Sequence, residues 1–176
     1  MPIAPIITVI GYSNAGKTHC VSKLVKELTK RGYRIATAKH CHQGFDLDVE
    51  GKDSWKHKQA GAFATIMSSR DRLAVISDLS EPPSLEQLNR QYAHGADLLL
   101  AEGYSWEPYP KILVMSKETL AEEHVPAPQL LIAVVRDRPV ETDLPQFSFS
   151  EFKLLANFVE ESFLQPSQPN CRNLSA

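Results

Sequence analysis

Cysteine is scarce in this sequence: the 176 residues include three cysteines, at positions 20, 41 and 171, and no C-x-x-C pair. An odd number of widely separated cysteines excludes a disulfide framework and gives no support to a cysteine-rich zinc site. We therefore expect reduced thiols and a cytoplasmic location.

The sequence also lacks a surplus of charge and any long apolar run. Its formal net charge is −2, whereas a broad nucleic-acid-binding face needs an excess of lysine and arginine, so we expect no nucleic acid partner. The opening residues MPIAPIITVIGYS carry no basic segment, and their apolar stretch is much shorter than the roughly 20 residues of a membrane-spanning helix. Neither secretion nor a membrane partner is expected, and the 43% apolar content is typical of a soluble globular protein.

What the sequence does contain is an alternation of strand-like and helix-like segments. Apolar runs typical of buried parallel strands occur at 6–10, 34–39, 96–103, 111–116 and 130–135. The closely spaced runs 64–69 and 72–77 predict two strands joined by a turn. Helical spacing predicts helices from Lys17 to about Gly32, over 84–95 and from Ser150, with a short helix that Ser54 caps. The expected fold is a three-layer α/β/α arrangement with a mostly parallel sheet and an additional short strand pair.

A glycine-rich segment follows the first strand and opens the first helix. Gly11, Gly16, Lys17 and Thr18 match the pattern G-x-x-x-x-G-K-[ST] of a P-loop, the name used below for residues 11–18. In such a loop, backbone N–H groups converge on phosphate oxygens, the lysine bridges the β- and γ-phosphates, and the threonine hydroxyl reaches Mg²⁺. The predicted nucleotide contacts are Gly11, Ser13, Asn14, Ala15, Gly16, Lys17, Thr18 and His19.

The P-loop predicts one nucleotide-binding domain over residues 1–165, because the chain has the length of a single domain. Residues 166–176 have little apolar content and contain two prolines, so we expect a disordered tail there. A P-loop site needs a carboxylate on its magnesium side, and Glu102 stands at the end of another apolar run. We expect Lys17 and Glu102 to be catalytic, and Thr18 and Glu102 to be metal ligands.

The base of the nucleotide requires a separate prediction, because the sequence contains no Asn-Lys-x-Asp motif. Asp137 follows the apolar run LLIAVV, at the strand end where an α/β sheet presents its loops to ligands. Its carboxylate can accept hydrogen bonds from guanine N1–H and N2–H₂. The alternative is that Asp137 only forms a turn before Pro139.

The segment 38–62 holds three histidines, four acidic residues and four lysines between a strand and a helix. Three interpretations stay open. His40, His42, Asp46 and Asp48 have the residue types of a metal site. Alternatively, the acids reach Mg²⁺ while lysine and histidine meet phosphates in a switch-like loop. The third interpretation is an ordinary solvated loop.

The order of several motifs makes the interpretation more specific. The P-loop, KHCHQGFDLD, GKDS, AGA, AEGY and PKILV occur in the order seen in the molybdopterin-guanine dinucleotide biosynthesis protein B family. The sequence resembles that family from about Ile6 to Pro139. The resemblance implies a dimeric P-loop GTPase of the SIMIBI type, with GTP and Mg²⁺ as cofactors, that assists the guanylyltransferase joining GMP to molybdopterin.

The resemblance also carries site residues onto this sequence, as nucleotide-side or partner-side positions: Lys39, His40, His42, Asp46, Asp48, Lys52, Asp53 and Ser54. Among them, Lys39 and His40 are expected at the nucleotide. Asp46 is expected nearest Mg²⁺ and to be catalytic, because it follows the flexible Gly44 and can swing toward Thr18. The homodimer that the resemblance implies has the strands over 64–77 as its candidate contact.

The function expected from these residues is that of an accessory protein with weak GTPase activity. The sequence shows no obvious arginine finger or water-positioning glutamine, and such groups accelerate hydrolysis by roughly 10³–10⁵. Two alternatives stay open: a P-loop kinase or ATPase acting on a small molecule, and a metallochaperone-type GTPase. Whether molybdopterin contacts this chain or only the guanylyltransferase is also left open.

Overall fold

The computed structural model describes residues 3–116 and 130–165. Its elements in chain order are β1 (Ile6–Ile10), α1 (Lys17–Lys30), β2 (Ile35–Lys39), α2 (Asp53–Gln59), β3 (Ala64–Ser68), β4 (Leu73–Ser77), α3 (Leu85–Tyr92), β5 (Leu98–Glu102), β6 (Lys111–Met115), β7 (Leu131–Arg136), β8 (Gln146–Phe147) and α4 (Phe152–Val159). A π-helical turn over Glu160–Leu164 continues α4.

The chain divides into two compact units. The larger unit consists of Met1–His40 and Ser84–Ala176, and the smaller unit consists of Cys41–Pro83. The single nucleotide-binding domain expected over 1–165 stays a prediction. The tail expected over 166–176 lies outside the described residues.

The larger unit is built on a six-stranded sheet in the order β2-β5-β1-β6-β7-β8, and every neighbouring pair is parallel. All five residues of β1 and all five of β5 are buried, as the uninterrupted apolar run at 6–10 predicts for a strand covered on both faces. The predicted mostly parallel sheet is therefore confirmed. The two-residue strand β8 was not predicted.

Helices cover both faces of this sheet. On one face, α1 and α4 pack against the sheet through Leu24, Leu28, Leu155 and Val159, beside strand residues such as Ile7 and Leu100. On the other face, Leu85 of α3 packs with Ile6, Leu99 and Ala101. Successive strand residues point to opposite faces, so β1 and β5 contribute to both layers of the core. The expected three-layer arrangement follows from this alternation.

The helix ends confirm part of the sequence analysis. Gly32 follows the C-cap of α1 with φ of +95°, and Ser84 and Gln87 form the capping box that begins α3. Helix α4 begins at Phe152, two residues later than predicted. The predicted cap at Ser54 is wrong: Lys52 is the N-cap residue of α2, and the Ser54 hydroxyl donates to Asp48 instead.

The smaller unit contains α2 and the predicted strand pair, in which β3 and β4 run antiparallel. One face of this hairpin is apolar and exposed, through Ile66, Leu73 and Val75, where Ile66 and Val75 are direct cross-strand partners. Within residues 3–116 and 130–165, no helix combines the length and apolar character needed to cross a membrane.

Candidate functional site

The P-loop is shaped by a glycine that no other residue can replace without a clash. Gly11 follows β1 with φ of +146°, and a Cβ atom placed on it would lie 2.2 Å from the carbonyl oxygen of Val114 in the adjacent β6. Backbone atoms of a buried strand cannot move away at low cost. The loop therefore leaves the sheet in direct contact with the neighbouring strand.

The second glycine of the motif sets the start of α1. Gly16 is the N-cap residue, has φ of +95° and provides no side chain, so the first-turn N–H groups are left for a ligand. The ring of Phe149 lies beneath it, 2.9 Å from where a Cβ atom would be. Ala15 is buried, whereas Ser13 and Asn14 are exposed, and Asn14 has φ of +62°.

Lys17 folds back over the loop. Its ammonium donates to the carbonyl oxygens of Gly11 and Tyr12, the former at 2.9 Å. Burial lowers the pKa of Lys17, the nearby Glu102 carboxylate raises it, and Lys39 lowers it. A phosphate above the loop would offer this ammonium charged acceptors in place of neutral carbonyls.

Thr18, Lys39 and Glu102 come together beside the P-loop, although they are far apart in sequence. The Thr18 hydroxyl donates to Glu102 Oε1 at 2.6 Å. Lys39 Nζ lies 3.2 Å from the same carboxylate oxygen and donates to the Thr18 hydroxyl at 3.4 Å. The arrangement puts a hydroxyl and a carboxylate oxygen next to each other, and the ammonium group of Lys39 contacts both.

Sheet register explains how these three residues meet. Val9 of β1 pairs with Glu102 at the end of β5, and Lys39 at the end of β2 pairs with Glu102 on its other side. Parallel strands end at one edge of the sheet, and α1 begins at that same edge. Glu102 is only 8% exposed, which holds its carboxylate toward Thr18.

The oxygen atoms of Thr18 and Glu102 fit a magnesium ion. Mg²⁺ prefers hard oxygen ligands, and in nucleotide sites it is bound by one or two protein groups together with phosphates and water. No three side chains of histidine, cysteine, aspartate or glutamate are grouped as a metal site among residues 3–116 and 130–165. The metal interpretation of His40, His42, Asp46 and Asp48 stays a prediction.

The other predicted residues are placed as follows. His40 packs its ring edge-to-face on Tyr104 and Trp106, with centroid distances of 5.5 and 4.8 Å, and its Cβ lies against Gly103. His19 packs against Phe152, with the ring centroids 5.5 Å apart.

Asp137 is exposed directly after β7, at the sheet edge where the P-loop also begins. Asp46, Asp48, Lys52, Asp53 and Ser54 all belong to the smaller unit. The expected approach of Asp46 to Mg²⁺ stays a prediction.

Sequence reasoning missed two features of the site. Phe149 supports Gly16 but belongs to no motif, so nothing in the sequence singled it out. Tyr104 is buried and has φ of +55°, an uncommon conformation for a residue other than glycine that concentrates at functional sites. The AEGY motif contained this residue, but its positive φ angle could not be predicted from the sequence.

These observations define a class of protein: a three-layer α/β protein whose P-loop lies beside the carboxylate at the end of the neighbouring parallel strand. The family model MobB, molybdopterin guanine dinucleotide synthesis protein B, matches residues 6–137. The chain belongs to this family.

Individual relatives agree with the family match. The chain is 35% identical over 160 residues to the molybdopterin-guanine dinucleotide biosynthesis adapter protein of Haemophilus influenzae, covering 89% of this chain and 88% of that protein. Identity to the adapter protein of the same name from Escherichia coli is 32% over 170 residues, covering 89% and 92%. The crystal structure of Bacillus subtilis MobB matches with a TM-score of 0.72 at 27% identity, covering 93% of this chain and 99% of that one.

Proposed function

We propose that this protein is a GTP-binding adapter that assists the guanylyltransferase in forming molybdopterin-guanine dinucleotide. One observation carries the nucleotide part of the proposal: the 2.6 Å contact between Thr18 and Glu102, placed where α1 begins without a side-chain cap. The relatives named above as adapter proteins support the biosynthetic part.

Phosphate binding is supported by the P-loop backbone and by Lys17. The open first turn of α1 offers N–H donors and the positive end of the helix dipole, both of which favour an anion. Lys17, which donates to the carbonyl oxygens of Gly11 and Tyr12, would donate to phosphate oxygens in their place. Its lowered pKa reflects the desolvation that a bound phosphate would offset.

Thr18 and Glu102 would hold Mg²⁺, which neutralises charge on the β- and γ-phosphates when bound. Lys39 contacts both of these side chains, so it is placed to compensate phosphate charge on the same side. Hydrolysis is proposed to be slow, as expected of an accessory protein, because the sequence offers no evident arginine finger. Because hydrolysis is slow, the nucleotide stays bound, and we propose that this nucleotide-bound form assists the guanylyltransferase.

We propose Asp137 as the guanine-reading residue, and its position supports this. Its strand, β7, is two places from β1 in the sheet, and its exposed carboxylate stands at the carboxyl edge. A carboxylate there accepts from guanine N1–H and N2–H₂, whereas adenine presents no such pair of donors.

A homodimer is part of the proposal, with the exposed apolar face of the hairpin as the contact. Ile66, Leu73 and Val75 are 68%, 70% and 42% exposed, which is unfavourable for a group of adjacent apolar side chains in water. Pairing two such faces would bury them. Light scattering that shows a monomer at all concentrations would contradict this contact.

The nucleotide part is tested by calorimetry with GTP and Mg²⁺ on the Lys17→Ala chain. We expect affinity to fall at least about tenfold, because a charged hydrogen bond is lost. Lys26→Ala is the matched control, since Lys26 is an exposed lysine on the same helix beyond the first turn. Equal affinities of the wild-type and Lys17→Ala chains would overturn the phosphate site.

The adapter part is tested by capture of the guanylyltransferase on the immobilised chain, with GTP, with GDP and without nucleotide. Nucleotide-dependent capture is expected, and Lys17→Ala should abolish the dependence. If the guanylyltransferase is not retained in any of the three conditions, the adapter assignment is wrong.

A further inference from the structure

The smaller unit contains a cavity lined only by its own residues. It has a volume of about 400 Å³, within the range of small-molecule sites. It is open to solvent on one side and is lined by the loop before α2, one side of α2 and one residue of β4: Phe45, Asp46, Leu47, Asp48, Glu50, Trp55, Lys58, Gln59 and Ile76. We call it the Trp55 cavity.

The Trp55 cavity is lined by three carboxylates, those of Asp46, Asp48 and Glu50. Its lysine, Lys58, is already engaged, because its ammonium contacts the carboxylate of Asp78 and donates to the carbonyl oxygen of Ala62. The cavity therefore repels phosphates and attracts groups that donate hydrogen bonds.

Asp48 has an unfilled place for such a donor. Its Oδ1 accepts from the backbone N–H of Val49 and from the Ser54 hydroxyl, both at 2.9 Å. Its Oδ2 is shielded from solvent and has no hydrogen-bond partner. An unsatisfied carboxylate oxygen in that position is unfavourable. Because Oδ2 is shielded from solvent, a ligand in the cavity reaches it once the soft carboxylate torsion has rotated.

The remaining walls favour a flat ligand. Phe45 and Leu47 are 69% and 76% exposed, and Trp55 is half-buried, so apolar side chains stand at the cavity without a partner that covers them. Aromatic side chains bind planar heterocycles by stacking, which contributes about 1–3 kcal/mol per nucleic acid base.

We propose that the Trp55 cavity binds a planar heterocycle through a 2-amino-4-oxopyrimidine edge, the edge that guanine and pterins share. That edge carries an N–H next to an NH₂ group, and both donate to carboxylate oxygens while the ring contacts Phe45 and Trp55. The assignment rests on the proposed function, in which a pterin takes part beside the GTP whose guanine is given to Asp137, and it names the part of the chain that would hold a second ring.

The test is calorimetric titration of the full-length chain with pterin, guanosine, adenosine and N-acetyl-arginine amide. Pterin or guanosine should bind, with adenosine at least about tenfold weaker because it lacks the paired donors. Binding of pterin that GTP does not displace identifies a pterin site, and binding of guanosine counts for the cavity only where Asp137→Asn leaves it unchanged. No binding of either, or equally tight binding of the arginine amide, would overturn the proposal, the latter in favour of a protein side chain.

Variants locate the binding. Asp48→Asn and Phe45→Ala should each weaken ring binding at least about fivefold, through the lost acceptor and the lost stacking. Glu81→Gln and Phe63→Ala are matched controls, because both residues are exposed in the same unit and neither lines the cavity. If Asp48→Asn fails to fold by circular dichroism, Phe45→Ala decides. Unchanged binding in the folded variants would show that the ring binds elsewhere.

Failure of the cavity proposal is distinguishable from failure of the proposed function. GTP affinity in the presence of Mg²⁺ and capture of the guanylyltransferase are measured independently, and Phe45→Ala should leave the Lys17-dependent phosphate contacts intact. Ring binding that persists when GTP binding and capture both fail would leave the cavity assigned and the adapter role wrong.

Discussion

The two units of this protein differ in how far their strand residues are buried. In the larger unit, every residue of β1 and of β5 is buried. In the smaller unit, four of the five residues of β4 are exposed, including Leu73 at 70%. The larger unit thus has the close packing that fixes atomic positions, and the smaller unit has an exposed apolar surface that is available to other molecules.

The difference matches the chemistry assigned to each unit. Contacts such as Thr18 to Glu102 at 2.6 Å require strands held in register, and β5 lies between β1 and β2 with both pairings fixed. Recognition of a ring or of a second chain requires apolar side chains that are exposed to solvent, as Phe45 and Ile66 are. A comparison of matched substitutions in the two units can test this division.

The largest single effect is expected in a comparison of two glycines. Gly11→Ala should destabilise the protein by about 4 kcal/mol or more, because left-handed strain adds to a 2.2 Å approach to the Val114 carbonyl. Gly44→Ala should cost about 1–2 kcal/mol, since Gly44 has φ of +76° but no atom within 4 Å of an added Cβ. Chemical denaturation measures both, and equal costs would contradict the difference in packing.

Two leucines provide the next contrast. Leu100→Ala removes a fully buried side chain from the core of the larger unit and should lower the free energy of unfolding by about 2–5 kcal/mol. Leu79→Ala removes a side chain that is 67% exposed in the smaller unit, so a change within about 0.5 kcal/mol is expected. A large loss at Leu79 would show that its surface is covered in solution.

The magnesium dependence of GTP binding can be compared for one carboxylate from each unit. Glu102→Gln should weaken GTP binding by about 1.5–3 kcal/mol in Mg²⁺ and much less in EDTA, because the charged oxygen beside Thr18 is lost. Glu86→Gln serves as control, since Glu86 pairs with Arg90 on the exposed face of α3. Asp46→Asn tests the smaller unit: a loss that also depends on Mg²⁺ confirms the predicted role of Asp46, and no loss contradicts it.

The smallest contrast concerns helix caps. Ser84→Ala should destabilise the protein by about 1 kcal/mol, because it removes the side chain that accepts from Gln87 N–H. Lys52→Ser should stabilise it by about 0.5–1 kcal/mol, since Lys52 occupies the N-cap of α2 in extended geometry without a side-chain hydrogen bond. Thermal denaturation resolves both signs, and stabilisation by Ser84→Ala would contradict the observed capping box.

Local patterns predicted most elements of the larger unit. The β-branched run at 6–10 gives a buried strand because β-branched residues pack well on both faces of a sheet. The spacing Ser-x-x-Gln predicted the cap of α3, since both hydrogen bonds lie within four residues. The cap at Ser54 was predicted from the general preference for serine at helix starts and is wrong, because Lys52 is the N-cap and the Ser54 hydroxyl donates to a carboxylate six residues earlier.

The sequence predicted which residues belong to the candidate site but not how they are arranged. Gly11, Gly16, Lys17, Thr18 and Glu102 were all expected at the phosphate side, because each residue type has a chemical reason to be there. Thr18 and Glu102 were expected at one metal ion, but their direct hydrogen bond and the contact of Lys39 with both were not predicted, since residues 84 positions apart meet only through strand order. Phe149, which packs beneath Gly16, carried no signal at all.

The sequence by itself determined the strand, P-loop and helix of residues 6–30, because glycine conformation, apolar periodicity and helix geometry act over a few residues. Only the tertiary structure decided that β5 lies between β1 and β2, and so that Glu102 contacts both Thr18 and Lys39. It also decided which apolar residues stay exposed, as at Phe45 and Leu73. The physical reason is that burial and long-range contact depend on which segments share a core, and no local pattern specifies that.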